Sequence, residues 1–85
     1  MNVAFTDDGW EDFTYWMVQD RRKVKRIVKL IEAVKRDPYA GEGKPERLKH
    51  FPGQVWSRRI DQEHRLVYVV TDSGEVVIQQ CRYHY

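Results

Sequence analysis

Cysteine and long apolar runs are scarce in this 85-residue sequence. Its single cysteine, Cys81, excludes a disulfide framework and any zinc site built from several cysteines. The lack of disulfides in so small a chain fits a reducing cytosol, so we expect a cytoplasmic protein. No apolar run approaches the ~18 residues of a membrane span. Residues 1–5 lack the basic-then-apolar pattern of a signal peptide. We therefore expect neither a membrane-spanning helix nor a signal peptide.

Basic residues are absent from the first 20 positions, which carry five acids, whereas positions 21–36 carry eight bases and one acid. Segregated charge creates a directional field, and a basic surface is typical of proteins that bind polyanions. We therefore consider four side chains of the basic segment as contacts for RNA phosphates: Arg22, Lys25, Arg26 and Lys29. The alternative is an ordinary solvated helix face.

The periodicity predicts the order β-α-α-β-β-β in one domain over residues 1–85. The predicted elements are a strand at 3–5, a helix to about Gln19, a helix from an Asp20 cap to 36, and strands at 55–60, 65–71 and 76–83. A further short strand near 47–50 would fit. We predict an α+β fold in which two N-terminal helices pack on one face of an antiparallel sheet.

Apolar spacing predicts which helical residues are buried. For the first helix these are Trp10, Phe13, Trp16 and Met17. For the second they are Val24, Ile27, Val28, Ile31 and Val34, with the basic residues on the opposite face.

Strand register gathers cationic side chains on one face of the predicted sheet. A two-residue turn at 73–74 places Arg65 opposite Arg82, and the preceding turn places Arg59 opposite Arg65. His84 alternates with Arg82 and shares this face. Because like charges placed opposite each other destabilise a sheet, such a face usually binds an anion. A one-residue slip in either turn would scatter the set.

Glu46 follows a Gly-Lys-Pro loop and precedes Lys49 by three residues. On its own it is an ordinary surface carboxylate beside a lysine, but it would also serve as a general base. RNA carries its own nucleophile, the 2′-hydroxyl, so an RNase needs only a base, an acid and a cationic clamp, without metal or cofactor.

Histidine has an ordinary pKa suited to proton transfer near neutrality, which makes His84 a candidate acid. The alternative is a frayed tail. Tyr85 beside it could stack on a splayed base. The other histidines, His50 and His64, fit turn or strand positions, and no metal-ligand spacing links the three.

Three motifs carry a family resemblance: WSRRI at 56–60, EHRLVY at 63–68 and CRYHY at 81–85. The segment 41–49 and the aromatic pattern of the first helix show the same resemblance. On these motifs the whole sequence resembles the YoeB (Txe) toxins of the RelE superfamily. The resemblance implies a bacterial type II toxin that enters the ribosomal A site and cuts mRNA there. It also implies neutralisation by a YefM-type antitoxin, and it allows a homodimer.

Site roles follow from the same resemblance. It implies Glu46 as general base, His84 as general acid, Arg65 and Lys49 as stabilisers of the phosphorane charge, and Arg59 and Tyr85 as residues that position the substrate. Arg82 joins the substrate residues through its predicted place on the sheet face. The basic helix would then contact the ribosome.

Two other functions fit the same fold. One is a ParE-like gyrase inhibitor, which does no chemistry on RNA. The other is a passive module that binds RNA or a protein partner. Neither would need the set Glu46, Arg65 and His84, so mRNA cleavage separates them from the leading hypothesis.

Overall fold

The computed structural model describes residues 1–83 and has two helices packed on a five-stranded sheet. Its elements are β1 (Val3–Phe5), α1 (Asp7–Gln19), α2 (Arg21–Arg36), β2 (Glu46–Arg47), β3 (Gln54–Arg59), β4 (Arg65–Val70) and β5 (Val76–Gln80). The predicted α+β class and both predicted helices are confirmed. Within residues 1–83, neither helix has the length and apolar character needed to cross a membrane.

The sheet has the strand order β1-β5-β4-β3-β2 and is mixed. Strands β2 to β5 pair antiparallel, as predicted, but β1 lies parallel to β5 with Val3 beside Val76. The expectation of a wholly antiparallel sheet was therefore wrong at this edge. Parallel neighbours need a long crossover connection, which the two helices and the three intervening strands provide here.

The turn between β4 and β5 is one residue longer than predicted. Val70 lies opposite Val76, and Thr71 N–H donates to the Glu75 carbonyl at 2.9 Å, which leaves residues 72–74 in the turn. Gly74 has φ of 86°, a conformation that glycine adopts without strain. A three-residue turn with glycine at this position is a common hairpin alternative to the two-residue turn.

An irregularity in the β4–β5 pairing then restores part of the predicted register. Val67 lies opposite Gln80 as expected. However, β5 ends at Gln80, whereas it was predicted to reach Tyr83. Arg82 therefore does not pair with Arg65. Instead, the Arg65 N–H donates to the Tyr83 carbonyl at 3.1 Å.

Side-chain caps fix both helices. Thr6 caps α1 by accepting the Gly9 N–H at 3.1 Å, and Asp20 caps α2 by accepting the Arg22 N–H at 3.0 Å. The bond with the Arg22 side chain also lowers the pKa of Asp20. Gly9 allows α1 to approach β5 closely, because a Cβ there would lie 2.4 Å from the Ile78 carbonyl oxygen.

The core lies between the helices and one face of the sheet. Its buried members are Phe13, Trp16, Ile27, Leu30, Val34, Ile60, Leu66, Tyr68, Val70, Val76, Ile78 and Cys81. Three residues predicted to be buried are not: Trp10, Met17 and Val28 are 52%, 38% and 44% exposed. On α2, Leu30 and Ala33 lie in the buried face instead of Val28. The buried stripe is therefore rotated from the predicted one.

Candidate active site

Glu46 and Arg65 meet at the open edge of the sheet. Glu46 begins β2 and lies opposite Ser57 of β3, whose other neighbour in the sheet is Val67 of β4. Arg65 Nη1 lies 3.8 Å from Glu46 Oε2 and donates to Ser57 Oγ at 3.1 Å. The pairing of three strands therefore brings together the Glu46 carboxylate and the Arg65 guanidinium, which are 19 positions apart in the sequence.

The two candidate groups differ in burial. The Arg65 side chain is 15% exposed, while that of Glu46 is 57% exposed. A partly buried, hydrogen-bonded guanidinium has a fixed direction, which suits a group that must meet developing negative charge. An exposed carboxylate can reach a substrate that approaches from solvent, which suits a base.

The cleft beside Glu46 has a volume of about 420 Å³ and is lined by Glu46, Arg47, Leu48, Lys49 and His50. Lys49 is exposed at this cleft, in the turn that follows β2. The structure thus brings Lys49 to the same part of the surface as Glu46. Leu48 anchors the segment, since its side chain is buried and its N–H donates to the Val55 carbonyl at 2.8 Å.

Arg59 lies directly opposite Arg65, as the strand register predicted. Its side chain is exposed, and its backbone N–H donates to the Gly43 carbonyl at 2.7 Å. Two cationic residues thus face each other across β3 and β4. Like charges directly opposite each other are unfavourable in a sheet, so a phosphate bound between the two side chains would be stabilising, and this favours a phosphate-binding role for the pair.

A buried arginine, Arg58, fixes the loop that leads to Glu46. Its guanidinium donates to the carbonyls of Asp37, Ala40 and Glu42, at 2.6–3.0 Å. Its Nε donates to the Tyr68 hydroxyl at 3.0 Å. These bonds satisfy the buried cation and tie residues 37–42 to β3.

The same loop is closed at two further points. The Tyr68 hydroxyl donates to the Pro38 carbonyl at 2.7 Å, and burial raises the pKa of Tyr68. Gly43 has φ of 88°, and a Cβ there would lie 2.7 Å from Leu30 Cδ2. A larger residue at this position, three residues before Glu46, would therefore be strained.

We predict that Tyr68→Phe lowers the free energy of unfolding by about 1–3 kcal/mol. The substitution keeps the ring but leaves the Pro38 carbonyl without its donor and Arg58 Nε without its acceptor. Chemical denaturation monitored by circular dichroism measures the change. The matched control is Tyr39→Phe, because the Tyr39 ring is 47% exposed and packs against Trp56. Equal stability of the two variants would contradict the role of the Tyr68 hydroxyl.

Arg82 was predicted on the Arg65 face, and that placement is wrong. Its guanidinium lies 3.6 Å from the centre of the Tyr15 ring of α1, and its Nη2 donates to the Tyr83 hydroxyl at 2.9 Å. The physical reason is the early end of β5, after which strand alternation no longer applies. The other two C-terminal candidates, His84 and Tyr85, lie outside the described residues.

The basic face of α2 is only partly available to a ligand. Arg26 is an internal clamp, because it pairs with Glu42 and donates to the carbonyls of Arg59 and Ile60. Arg22 pairs with the Asp20 cap at 3.2 Å. Arg26 was predicted as a phosphate contact, with a solvated face as the alternative; in the structure its side chain bridges α2 to the end of β3.

The exposed members of this basic face are Arg22, Lys25 and Lys29. The Lys29 ammonium lies 3.7 Å from Glu42 Oε2, and its side chain is 68% exposed. Exposed ion pairs of this kind are weak, so Lys29 can exchange its partner for a phosphate.

Sequence reasoning missed the residues that hold the site in place. Ser57 orients Arg65, and Arg58 holds the loop before Glu46. A signal for Arg58 was present, because alternation along β3 places it on the same face as the core residue Leu66. Cys81 is not a candidate nucleophile, since burial raises the pKa of its thiol to about 12.

Comparison with known proteins identifies the family of this chain. Residues 5–85 match the family model of the YoeB-like toxins of bacterial type II toxin-antitoxin systems. The toxin YoeB of Streptomyces coelicolor is 53% identical over 85 residues, which covers the whole of both chains. The similarity therefore extends over the complete described fold and the C-terminal motif.

Solved structures give the same result. A YoeB/ParE toxin from Agrobacterium tumefaciens superposes with a TM-score of 0.94 at 45% identity over the whole of both chains. The YoeB–YefM toxin–antitoxin heterotetramer from Staphylococcus aureus gives 0.87 at 41% identity, covering all of this chain and 98% of that one. A YoeB dimer from the same organism gives 0.88 at 39% identity, with the same coverage. The chain belongs to the family of YoeB-like toxins of bacterial type II toxin–antitoxin systems.

Proposed function

We propose that this toxin is a metal-independent endoribonuclease that cuts mRNA in the ribosomal A site and thereby inhibits translation. The observation that carries the proposal is the cluster of Glu46, Arg65 and Ser57 beside an open cleft. It supplies a carboxylate and an oriented cation on one surface. The exposed Arg59 adds a second cation across the strands.

In the proposed reaction Glu46 takes the proton of the 2′-hydroxyl, and that oxygen attacks the adjacent phosphorus. Negative charge on the phosphorane is stabilised by Arg65 together with Lys49. The P–O5′ bond breaks, and His84 gives its proton to the departing 5′-oxygen. The products are a 5′-hydroxyl and a 2′,3′-cyclic phosphate, which water can open to a 3′-phosphate.

The 3.8 Å separation of Arg65 and Glu46 suits this chemistry. An incoming phosphate competes with the Glu46 carboxylate for the guanidinium, and the freed carboxylate remains within reach of the ribose. Arg59 and Tyr85 position the substrate in this proposal. The proposed reaction assigns no role to Arg82, whose guanidinium stacks on the Tyr15 ring.

The partners follow from the proposed reaction and from the relatives. We propose a YefM-type antitoxin as the neutralising partner, because a YoeB toxin 41% identical to this chain forms a heterotetramer with YefM. A homodimer is proposed on the same basis, from the YoeB dimer. The substrate complex is the translating ribosome with its mRNA, so the toxin would act in the cytoplasm.

Primer extension on an mRNA, with and without programmed ribosomes, tests the proposal. We expect cleavage that requires the ribosome and stops when a YefM-type antitoxin is added. A ParE-like inhibitor would leave the mRNA intact and block supercoiling by gyrase in a parallel assay. Binding to ribosomes without cleavage would point to a passive module. Either result would refute the proposed reaction.

We predict that Lys25→Gln with Lys29→Gln weakens ribosome binding and flattens its salt dependence without changing the chemical step. Each cation lost from a phosphate should lower the magnitude of the log–log salt slope by roughly 0.7–0.9. Arg26 stays unchanged because its loss would release the contact with Glu42.

The control for this experiment is Lys35→Gln, on another face of α2, where the ammonium lies 3.8 Å from Glu32. Sedimentation with ribosomes at several salt concentrations measures binding. An unchanged slope in the double variant would return Lys25 and Lys29 to an ordinary solvated face.

A further inference from the structure

His64 is a buried histidine that the proposed reaction does not use. It is 6% exposed and lies just before β4. Its N–H donates to Asp61 Oδ1 at 2.7 Å, and its carbonyl accepts from the Ile60 N–H at 3.0 Å. Its ring lies edge-on to the Trp16 ring, with centroids 4.8 Å apart. The turn and α1 together therefore fix the direction of the imidazole.

The imidazole holds the backbone of Tyr83. The Tyr83 N–H donates to His64 Nδ1 at 2.7 Å, and the Tyr83 carbonyl accepts from the Arg65 N–H at 3.1 Å. The N–H and the carbonyl of Tyr83 are thus bonded to two consecutive residues, His64 and Arg65. Because Nδ1 accepts this bond it carries no proton, so the neutral ring carries its proton on Nε2, 3.5 Å from Glu63 Oε1.

The conformation of Tyr83 indicates that it is held in place by its surroundings. Its φ is 63°, in the left-handed region that a bulky residue rarely occupies unless neighbouring contacts hold it there. Cys81, two residues before Tyr83, is also fixed, because its N–H donates to Asp12 Oδ2 at 3.1 Å and its carbonyl accepts from Trp16 Nε1 at 2.9 Å. Burial raises the pKa of Asp12.

We propose that His64 is a positioning residue for RNA cleavage. By accepting the Tyr83 N–H, it fixes the backbone of the residue that comes immediately before the proposed acid, His84, in the sequence. The Arg65 N–H holds the carbonyl of the same residue, Tyr83. This proposal rests on the proposed ribonuclease function.

The test compares His64→Asn with His64→Leu. The asparagine oxygen can take the place of Nδ1 and accept the Tyr83 N–H, whereas leucine fills the space without an acceptor. For His64→Leu we expect the single-turnover cleavage rate on saturating ribosomes to fall by roughly 10–100-fold, the scale of a small misplacement of a reacting group. Ribosome affinity should stay the same, and exchange of the Tyr83 amide hydrogen should become faster. His64→Asn should restore most of both properties.

A double variant separates positioning from a purely structural role. If His64 acts through His84, the loss from His64→Leu should largely disappear in a His84→Gln background, because the acid is already missing. Losses that multiply would overturn the proposal, as would full activity of His64→Leu. Where His64→Leu does not fold, His64→Gln replaces it, since its amide oxygen lies one bond further from the backbone.

Failure of the proposed function gives a different result. If the wild-type protein does not cut mRNA, the ribonuclease assignment fails whatever the His64 variants do. If the wild type cuts but His84→Gln cuts equally fast, the acid assignment is wrong and the positioning role falls with it. Slow Tyr83 amide exchange in His64→Leu would refute the anchor itself.

Discussion

Replacing Glu46 with alanine is expected to lower single-turnover mRNA cleavage on ribosomes by about 10²–10⁴-fold, the usual contribution of one acid–base group. The carboxylate lies at the cleft, exposed to substrate and 3.8 Å from Arg65 Nη1. Without it, the 2′-hydroxyl must lose its proton to water. Quench-flow measurement with excess toxin and labelled mRNA gives the rate of the chemical step.

The fold should tolerate this change. Glu46 is exposed on a two-residue edge strand, and surface substitutions usually alter stability by less than about 0.5 kcal/mol. The control is Glu75→Ala, which removes an exposed carboxylate near the β4–β5 turn and should leave cleavage unchanged. Normal cleavage by a folded Glu46→Ala protein would remove Glu46 from the mechanism.

Local patterns in the sequence predicted the helices well because helix ends depend on neighbouring residues. Thr6 and Asp20 cap α1 and α2 as expected for residues whose short side chains accept backbone N–H bonds. The parallel pairing of β1 with β5 depends on contacts more than 70 positions apart, such as Val3 with Val76. No local pattern encodes such a pairing, which explains why the strand was predicted but its partner was not.

The positions of the candidate site residues were predicted correctly only where the lengths of the turns between strands were predicted correctly. The turn before β4 was correct, so Arg59 and Arg65 face each other as expected. The turn before β5 was one residue too short, and the end of that strand was misjudged, so Arg82 was misplaced. Buried polar contacts such as Arg58 with the loop carbonyls arise from tertiary packing, and alternation gave only a hint of them.

Arg65→Ala is expected to cost roughly 3–4 kcal/mol in the transition state, or about 10²–10³-fold in rate, comparable to losing one preorganised oxyanion donor. The guanidinium is aimed by its bond to Ser57 Oγ at 3.1 Å and so meets the phosphorane charge without reorientation. The measurement is the single-turnover rate with saturating ribosomes, together with ribosome affinity. A loss confined to affinity would make Arg65 a substrate contact without a role in the transition state.

A charge-preserving variant shows what the guanidinium itself contributes. Arg65→Lys keeps the positive charge but loses the planar fork that can bond Ser57 and a phosphate together, so its rate should fall between those of the wild type and Arg65→Ala. Stability should hold within about 1 kcal/mol for Arg65→Ala, because the loss of a weak ion pair with Glu46 is offset by reduced repulsion from Arg59. Arg65→Lys keeps the charge that takes part in both interactions, so its stability should also stay within about 1 kcal/mol of the wild type. Cooperative thermal unfolding followed by circular dichroism checks this. If Arg65→Ala unfolds, the arginine is structural and the rate loss says nothing about catalysis. If Arg65→Ala folds and Arg65→Lys cuts at the wild-type rate, positive charge alone is sufficient, and the orientation that Ser57 gives to the guanidinium does not matter.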